Sequence, residues 1–215
     1  MNKELKKEIF EHIDAYVKYG FYDVEDICFD LEFILMEEID EEKFTEVWLQ
    51  KEVEKRYNKQ LQKEKSWSGV VSFDRLATAF DVLSTHRIIT LHKAGYTTQE
   101  GEEIACNVYD ELKAKGIKAN GYCYYHTQDV ERAMGDIQNL YIRYGDFQGD
   151  DDKCQQVGKL IVTELKKQNL EVHWSESIND TIEIKPFLWQ KRHDGIDYSS
   201  KRTTAHILAT QTKSS

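Results

Sequence analysis

Apolar residues recur at helical spacing through the first third of the chain. Ile9, Ile13, Tyr16 and Val17 make one stripe, and Gly20 stands where that helix should stop. From Val24 to about Glu38, Ile27, Leu31, Ile34 and Leu35 share a face, with acids on the other. Asp40, followed by Glu41, Glu42 and Lys43, has the pattern of a helix N-cap with acids in the first turn. The helix it would open carries Phe44, Val47, Trp48, Val53, Tyr57 and Leu61 and turns polar near Lys65. The stretch SWSGVVS, residues 66–72, gathers Ser and Gly between two periodic segments and reads as a linker.

Beyond Phe73 the grammar changes. A helix carrying Leu76, Ala79, Phe80 and Leu83 leads into RIITLH, residues 87–92, whose β-branched run predicts a strand. Thr97 and Glu100 have the spacing of a capping box, opening a helix with Ile104, Ala105, Val108 and Leu112 inward and Gly116 at its end. GYCYYH, residues 121–126, is aromatic and β-prone. Asp129–Met134 is a short helix at most, and Leu140–Phe147 alternates like a half-buried strand. Asp150, Asp151 and Asp152 suit the positive end of a helix that buries Val157, Leu160, Ile161 and Leu165. Two strands follow, Leu170–Ser175 and Thr181–Phe187, joined through Ile178, Asn179 and Asp180. The predicted class is α+β. A helical region, 1–67, precedes a ferredoxin-like α/β sandwich, 73–193, with a mostly antiparallel sheet and both main helices on one face. The polar tail, 194–215, is expected to be mobile.

With 215 residues, 40% of them hydrophobic, the chain has enough apolar material for one large domain or two small ones. No run of about 18 apolar residues is present, so no membrane-spanning helix and no membrane partner are expected. MNKELKKEIFEHID alternates charges where a signal peptide needs an apolar stretch, which predicts a cytoplasmic protein. Cys28, Cys106, Cys123 and Cys154 contain no CxxC pair and signal neither a disulfide framework nor a zinc knuckle. The balance of 29 Lys+Arg against 39 Asp+Glu, net −10, opposes attraction to nucleic-acid phosphates.

Strand alternation tests the candidate chemistry. In GYCYYH, Tyr122, Tyr124 and His126 point one way and Cys123 and Tyr125 the other, so Cys123 and His126 form no nucleophile–base dyad. Cys123 reads as a small core residue. His126, with Asp129 to orient it, Arg132 and Tyr124, is the candidate catalytic group, since general acid–base chemistry needs a positioned imidazole at such a strand end. The competing reading has Asp129 capping the short helix and His126 hydrogen-bonding locally. Seven scattered histidines and no HExxH give no metal expectation. The glycines form neither GxGxxG nor GxxxxGK[ST], and no GxSxG elbow occurs, so no cofactor is expected.

Surfaces carry more information. Residues 22–46 hold eleven acids, among them Asp23, Glu25, Asp26, Asp30 and Glu32, against one base, Lys43. Such a segment is either a solvated helix face or a patch that steers a basic protein. On the sheet, Tyr141, Arg143, Glu171, His173, Glu183 and Lys185 fall opposite Leu140, Ile142, Val172, Trp174, Ile182 and Ile184. A polar, partly aromatic sheet face can stack single-stranded RNA, but the Lys/Arg surplus and the RNP-type motif of such binders are missing.

The stretches FDRLATAF, AGYTTQEG, GYCYYHTQDVERAM, LYIRYG and EIKPFLWQKR together resemble an uncharacterised bacterial domain family, over about residues 73–193. That resemblance implies a fold and supplies no catalytic residues. In acidity and element order the chain is also distantly similar to regulator of ribonuclease activity B, a ferredoxin-like protein that restrains a ribonuclease by binding it, and in character to immunity proteins. The expected function is therefore non-catalytic: a regulatory, inhibitor or immunity-type protein that binds another protein. Asp23, Glu25, Asp26, Asp30, Glu32, Tyr141, Arg143 and His173 are its candidate contact residues. The alternatives are an enzyme built around His126, Asp129 and Arg132, and a single-stranded RNA binder using Tyr141, Arg143 and His173.

Overall fold

The computed structural model describes residues 3–35 and 45–211. The chain divides into two compact units. One comprises residues 1–69 with 190–196, the other 70–189 with 197–215.

The first unit holds α1 (Lys3–Tyr19), α2 (Val24–Leu35) and α3 (Glu46–Glu64). Ile9, Ile13 and Val17 of α1 pack with Ile27 and Leu31 of α2 and Leu49 and Val53 of α3. All but Leu49 belong to the predicted stripes, and Val47 of the predicted set is exposed instead. Thr45 is the N-cap of α3, accepting the Trp48 amide at 3.2 Å. The Asp40 cap, with Glu41, Glu42, Lys43 and Phe44, lies outside the described residues, as do Glu37 and Glu38. Gly20 ends α1 at φ 79°, and a Cβ there would fall 2.5 Å from the Lys191 carbonyl oxygen. Only glycine satisfies both the left-handed turn and that close approach. The 190–196 segment is fixed to the helices by His193, whose amide donates to Glu64 Oε2 at 3.1 Å and whose Nδ1 lies 2.6 Å from Oε1.

The second unit contains α4 (Ser72–Thr85), β1 (Ile88–Leu91), α5 (Thr98–Ala114), β2 (Gly121–Tyr124), α6 (Thr127–Met134) and β3 (Leu140–Gly145). It continues with α7 (Asp151–Lys167), β4 (Val172–His173), β5 (Ile182–Ile184) and α8 (Ser200–Gln211). The sheet order is β1-β2-β3-β5-β4, with β1 parallel to β2 and the remaining pairs antiparallel. The α+β class and the mostly antiparallel sheet match the sequence expectation. The strand order is different from a ferredoxin-like one: a split βαβ places another strand between its parallel pair, whereas β1 and β2 are direct neighbours here.

The two main helices also lie on opposite faces. A Cβ on Gly101 of α5 would meet the Tyr124 ring at 2.3 Å, and one on Gly121 would meet Val157 of α7 at 2.6 Å. Tyr124 and Gly121 point to opposite sides of β2. The cause is in β1, which is buried along its whole length and so demands apolar cover on both faces. Ile89, Leu91 and Tyr124 meet Ala105, Val108 and Leu112 of α5 on one side. Thr90 reaches the Phe80 carbonyl of α4 on the other.

The expectation of a mobile tail after residue 193 is corrected by α8. Thr203 Oγ1 accepts the Thr90 amide at 3.0 Å, and Ile207 is fully buried in the Ile89–Leu91 cluster. Strand β1 is at the sheet edge, and an edge leaves amides that some other group must satisfy. The helix supplies that group with one hydroxyl. Among the described residues, no helix is long and apolar enough to cross a membrane.

Candidate functional site

Strand β2 ends at Tyr124, and His126 takes up the N-cap position of α6 with extended backbone (φ −107°, ψ 177°). Asp129, in the first turn of α6, returns its carboxylate to the cap: Oδ2 accepts the His126 amide at 3.1 Å. The same carboxylate accepts Arg132 Nη1 at 3.0 Å and, from β3, Arg143 Nη1 at 2.5 Å. Its side chain is completely shielded from solvent, while Arg132 is 45% exposed and Arg143 20%. His126 Nδ1 lies 3.0 Å from Oδ2 without the alignment of a hydrogen bond.

Sequence reasoning thus assembled His126, Asp129 and Arg132 correctly as neighbours, and the structure adds Arg143. Tyr124 goes elsewhere, donating its hydroxyl to the Thr98 carbonyl at 2.9 Å beneath Gly101. The geometry of Asp129 is that of a helix cap and charge hub.

Burial lowers the His126 pKa from its ordinary 6.5. The Asp129 carboxylate opposes that shift, and the Arg143 and Arg132 guanidiniums reinforce it. The folded protein therefore holds His126 neutral where the unfolded chain has begun to protonate. As pH falls below about 6.5 the unfolded state binds more protons and stability is lost, down to the folded pKa. His126→Asn keeps a good N-cap and removes the titration. Denaturant melts between pH 7.5 and 5 should show a shallower loss of stability in this variant than in the parent. Equal slopes would overturn the assignment.

A cavity of about 230 Å³ opens beside this hub. It exists because β3 and β5 pair only as far as Ile142 opposite Ile182, while β3 continues alongside β2 to Gly145. The sheet splits there, and the turn between β4 and β5 forms the far wall. Arg143, Tyr122, Thr98, Glu102, Asn179 and Asp180 contribute to its lining. Arg143 Nε donates to Thr98 Oγ1 at 3.0 Å, which holds the guanidinium between α5 and the hub. A Cβ on Gly145 would lie 2.5 Å from Tyr122 Oη, so this glycine lets the Tyr122 ring cross β3. Burial, with Glu102 nearby, pushes the Tyr122 phenol up to about 12. His126, Asp129, Arg132 and Tyr124 are not part of the lining.

The remaining sheet candidates fall on the expected face. Tyr141 and His173 both pair with Glu183, giving a row across three strands. Asn139 Nδ2 donates to Glu183, and His173 Nε2 lies 3.3 Å from Glu171. Cys123 is buried, and burial alone raises its pKa well above the ordinary thiol value. Burial is also the chief cause that pushes Cys28 up to about 11 and raises Cys154. Such thiols stay protonated at neutral pH and are poor nucleophiles.

The acidic candidates are on α2, except Asp23, which directly precedes it. Asp23 and Asp26 cap each other's amides at the helix start: Asp26 donates to Asp23 Oδ1 at 2.9 Å, and Asp23 to Asp26 Oδ2 at 3.4 Å. Asp30 and Glu32 are half-buried and Glu25 is exposed. Sequence reasoning missed Phe29, which is 73% exposed one turn after Glu25. It also missed the Thr98, Glu102, Asn179 and Asp180 walls of the cavity. A glycine inside the helical pattern at 101 was the available signal for a close approach there.

The family described as a domain of unknown function (DUF6891) matches residues 2–193. The chain belongs to this family. The match begins among the N-terminal helices, so these are part of the DUF6891 domain together with the segment from 73 onward. No curated protein and no solved structure matches the chain.

Proposed function

We propose that this DUF6891 protein is a cytoplasmic, non-catalytic regulator of the inhibitor or immunity type, which binds a basic protein partner through α2. The observation that carries the reading is Phe29, 73% exposed between Glu25 and Asp26 one turn before it and Glu32 one turn after. A large apolar side chain ringed by carboxylates suits an apolar anchor flanked by Lys or Arg, with the charges steering the encounter. The absence of convergence between His126, Asp129 and Tyr124 and the cavity favours this reading over the catalytic one.

The test is retention of a partner from lysate by the full chain at low and high salt. It is repeated with Phe29→Ser and with Glu25→Gln/Glu32→Gln, which leave the Asp23–Asp26 cap intact. The expected result is a partner whose binding weakens about tenfold in each variant, roughly 1.4 kcal/mol. Its salt dependence should fall in the carboxylate variant alone. Unchanged retention in both would sink the reading.

A further inference from the structure

The cavity beside Arg143 carries a donor and acceptor set with unspent capacity. Arg143 uses Nε on Thr98 and Nη1 on Asp129, leaving Nη2 without a partner among the described residues. The hub sets two guanidiniums, Arg132 and Arg143, against one carboxylate, Asp129. Arg143 is the member of the hub that faces the cavity. Glu102, one turn along α5 from the Thr98 that holds Arg143, makes no ion pair or hydrogen bond among the described residues. Asp180 uses only Oδ2, on Ser175 Oγ at 2.6 Å. The Tyr122 hydroxyl and the Asn179 side-chain amide are likewise unspent, and the Tyr122 ring, flanked by Tyr124 and Phe147, offers an apolar wall.

Each group asks for a particular complement. A guanidinium with a free edge takes a carboxylate, two unpaired carboxylates take an ammonium, and an aromatic wall takes a short aliphatic stem. The volume sets the size. At about 30 Å³ per water, the cavity holds about eight non-hydrogen atoms, smaller than a drug-sized pocket.

We infer that this cavity is a binding site for a free α-amino acid, with Arg143 on its carboxylate and Glu102 and Asp180 on its ammonium. The site lies wholly within the second unit and goes beyond the α2 reading, so either can fail alone. It gives the protein a small-molecule input in addition to a partner surface.

Titration calorimetry of the full chain against the individual proteinogenic amino acids tests this. Any that binds is followed by its N-acetylated and its C-amidated forms. The expected result is saturable binding of at least one amino acid, with each capped form at least tenfold weaker. Glu102→Gln, a substitution on an exposed helix position, should weaken the free amino acid at least tenfold and leave its N-acetyl form unaffected. Arg143→Gln should abolish binding. If that variant does not fold, the capped ligands and Glu102→Gln decide. No binding by any amino acid at millimolar concentration overturns the site. So does a capped form that binds as well as its parent, or a Glu102→Gln protein with unchanged affinity.

Discussion

Asp129→Ala is expected to cost about 3–5 kcal/mol of stability, the range for removing one member of a buried charge network. The carboxylate is fully shielded and serves three neighbours: the His126 amide, Arg132 and Arg143. Its loss leaves the α6 cap unsatisfied, which alone is about 1 kcal/mol. It also strands the largely buried Arg143 charge between β3 and α5. Arg132→Ala is the contrast, because an arginine 45% exposed is screened by solvent and its removal leaves Asp129 paired with Arg143. That variant should lie within about 1 kcal/mol of the parent. Urea melts of both variants check the pair. A cost for Asp129→Ala no larger than for Arg132→Ala would remove the hub from the account of this fold.

Ile207→Ala should cost about 2–5 kcal/mol, the range for deleting a fully buried branched side chain. Ile207 sits in one cluster with Ile89, Leu91 and Leu112, so truncation opens a void against the β1 edge. Thermal melts distinguish a docked α8 from a solvated tail without ambiguity, since the same substitution on mobile chain has no packing to lose. A silent Ile207→Ala would restore the mobile-tail expectation.

These two predictions bear on different layers of legibility. Asp129 was visible in the sequence as part of a His126–Asp129–Arg132 group, because its spacing is local and helix-capping chemistry follows from three or four consecutive residues. Arg143 could not be joined to that group from the sequence. Its place depends on β2 and β3 pairing with Tyr124 opposite Arg143, a register that no local pattern states. The cavity is further removed still: it exists because β5 stops pairing with β3 one residue before Arg143.

The N-terminal helices show the other extreme. Ile9, Ile13, Val17, Ile27, Leu31 and Val53 were legible as a core from spacing alone, since a 3.6-residue period maps directly onto one face. The same holds for the alternation that separates Tyr122 and Tyr124 from Cys123 and Tyr125. Helix α8 failed that test because a short, mostly polar helix with a single fully buried apolar residue has almost no period to read.

The sequence by itself determined the element types up to β5, the α+β class, the inward faces of the long helices and the acidic character of α2. These follow from backbone periodicity and side-chain polarity, which act over a few residues. Only the tertiary structure decided that β1 and β2 are neighbours, that α5 and α7 cover opposite faces and that the last helix closes the sheet edge. It alone brought Arg143, Glu102 and Asp180 around one cavity. Those outcomes depend on which apolar surfaces find each other and which unpaired amides are satisfied, a competition among distant segments that no local pattern records.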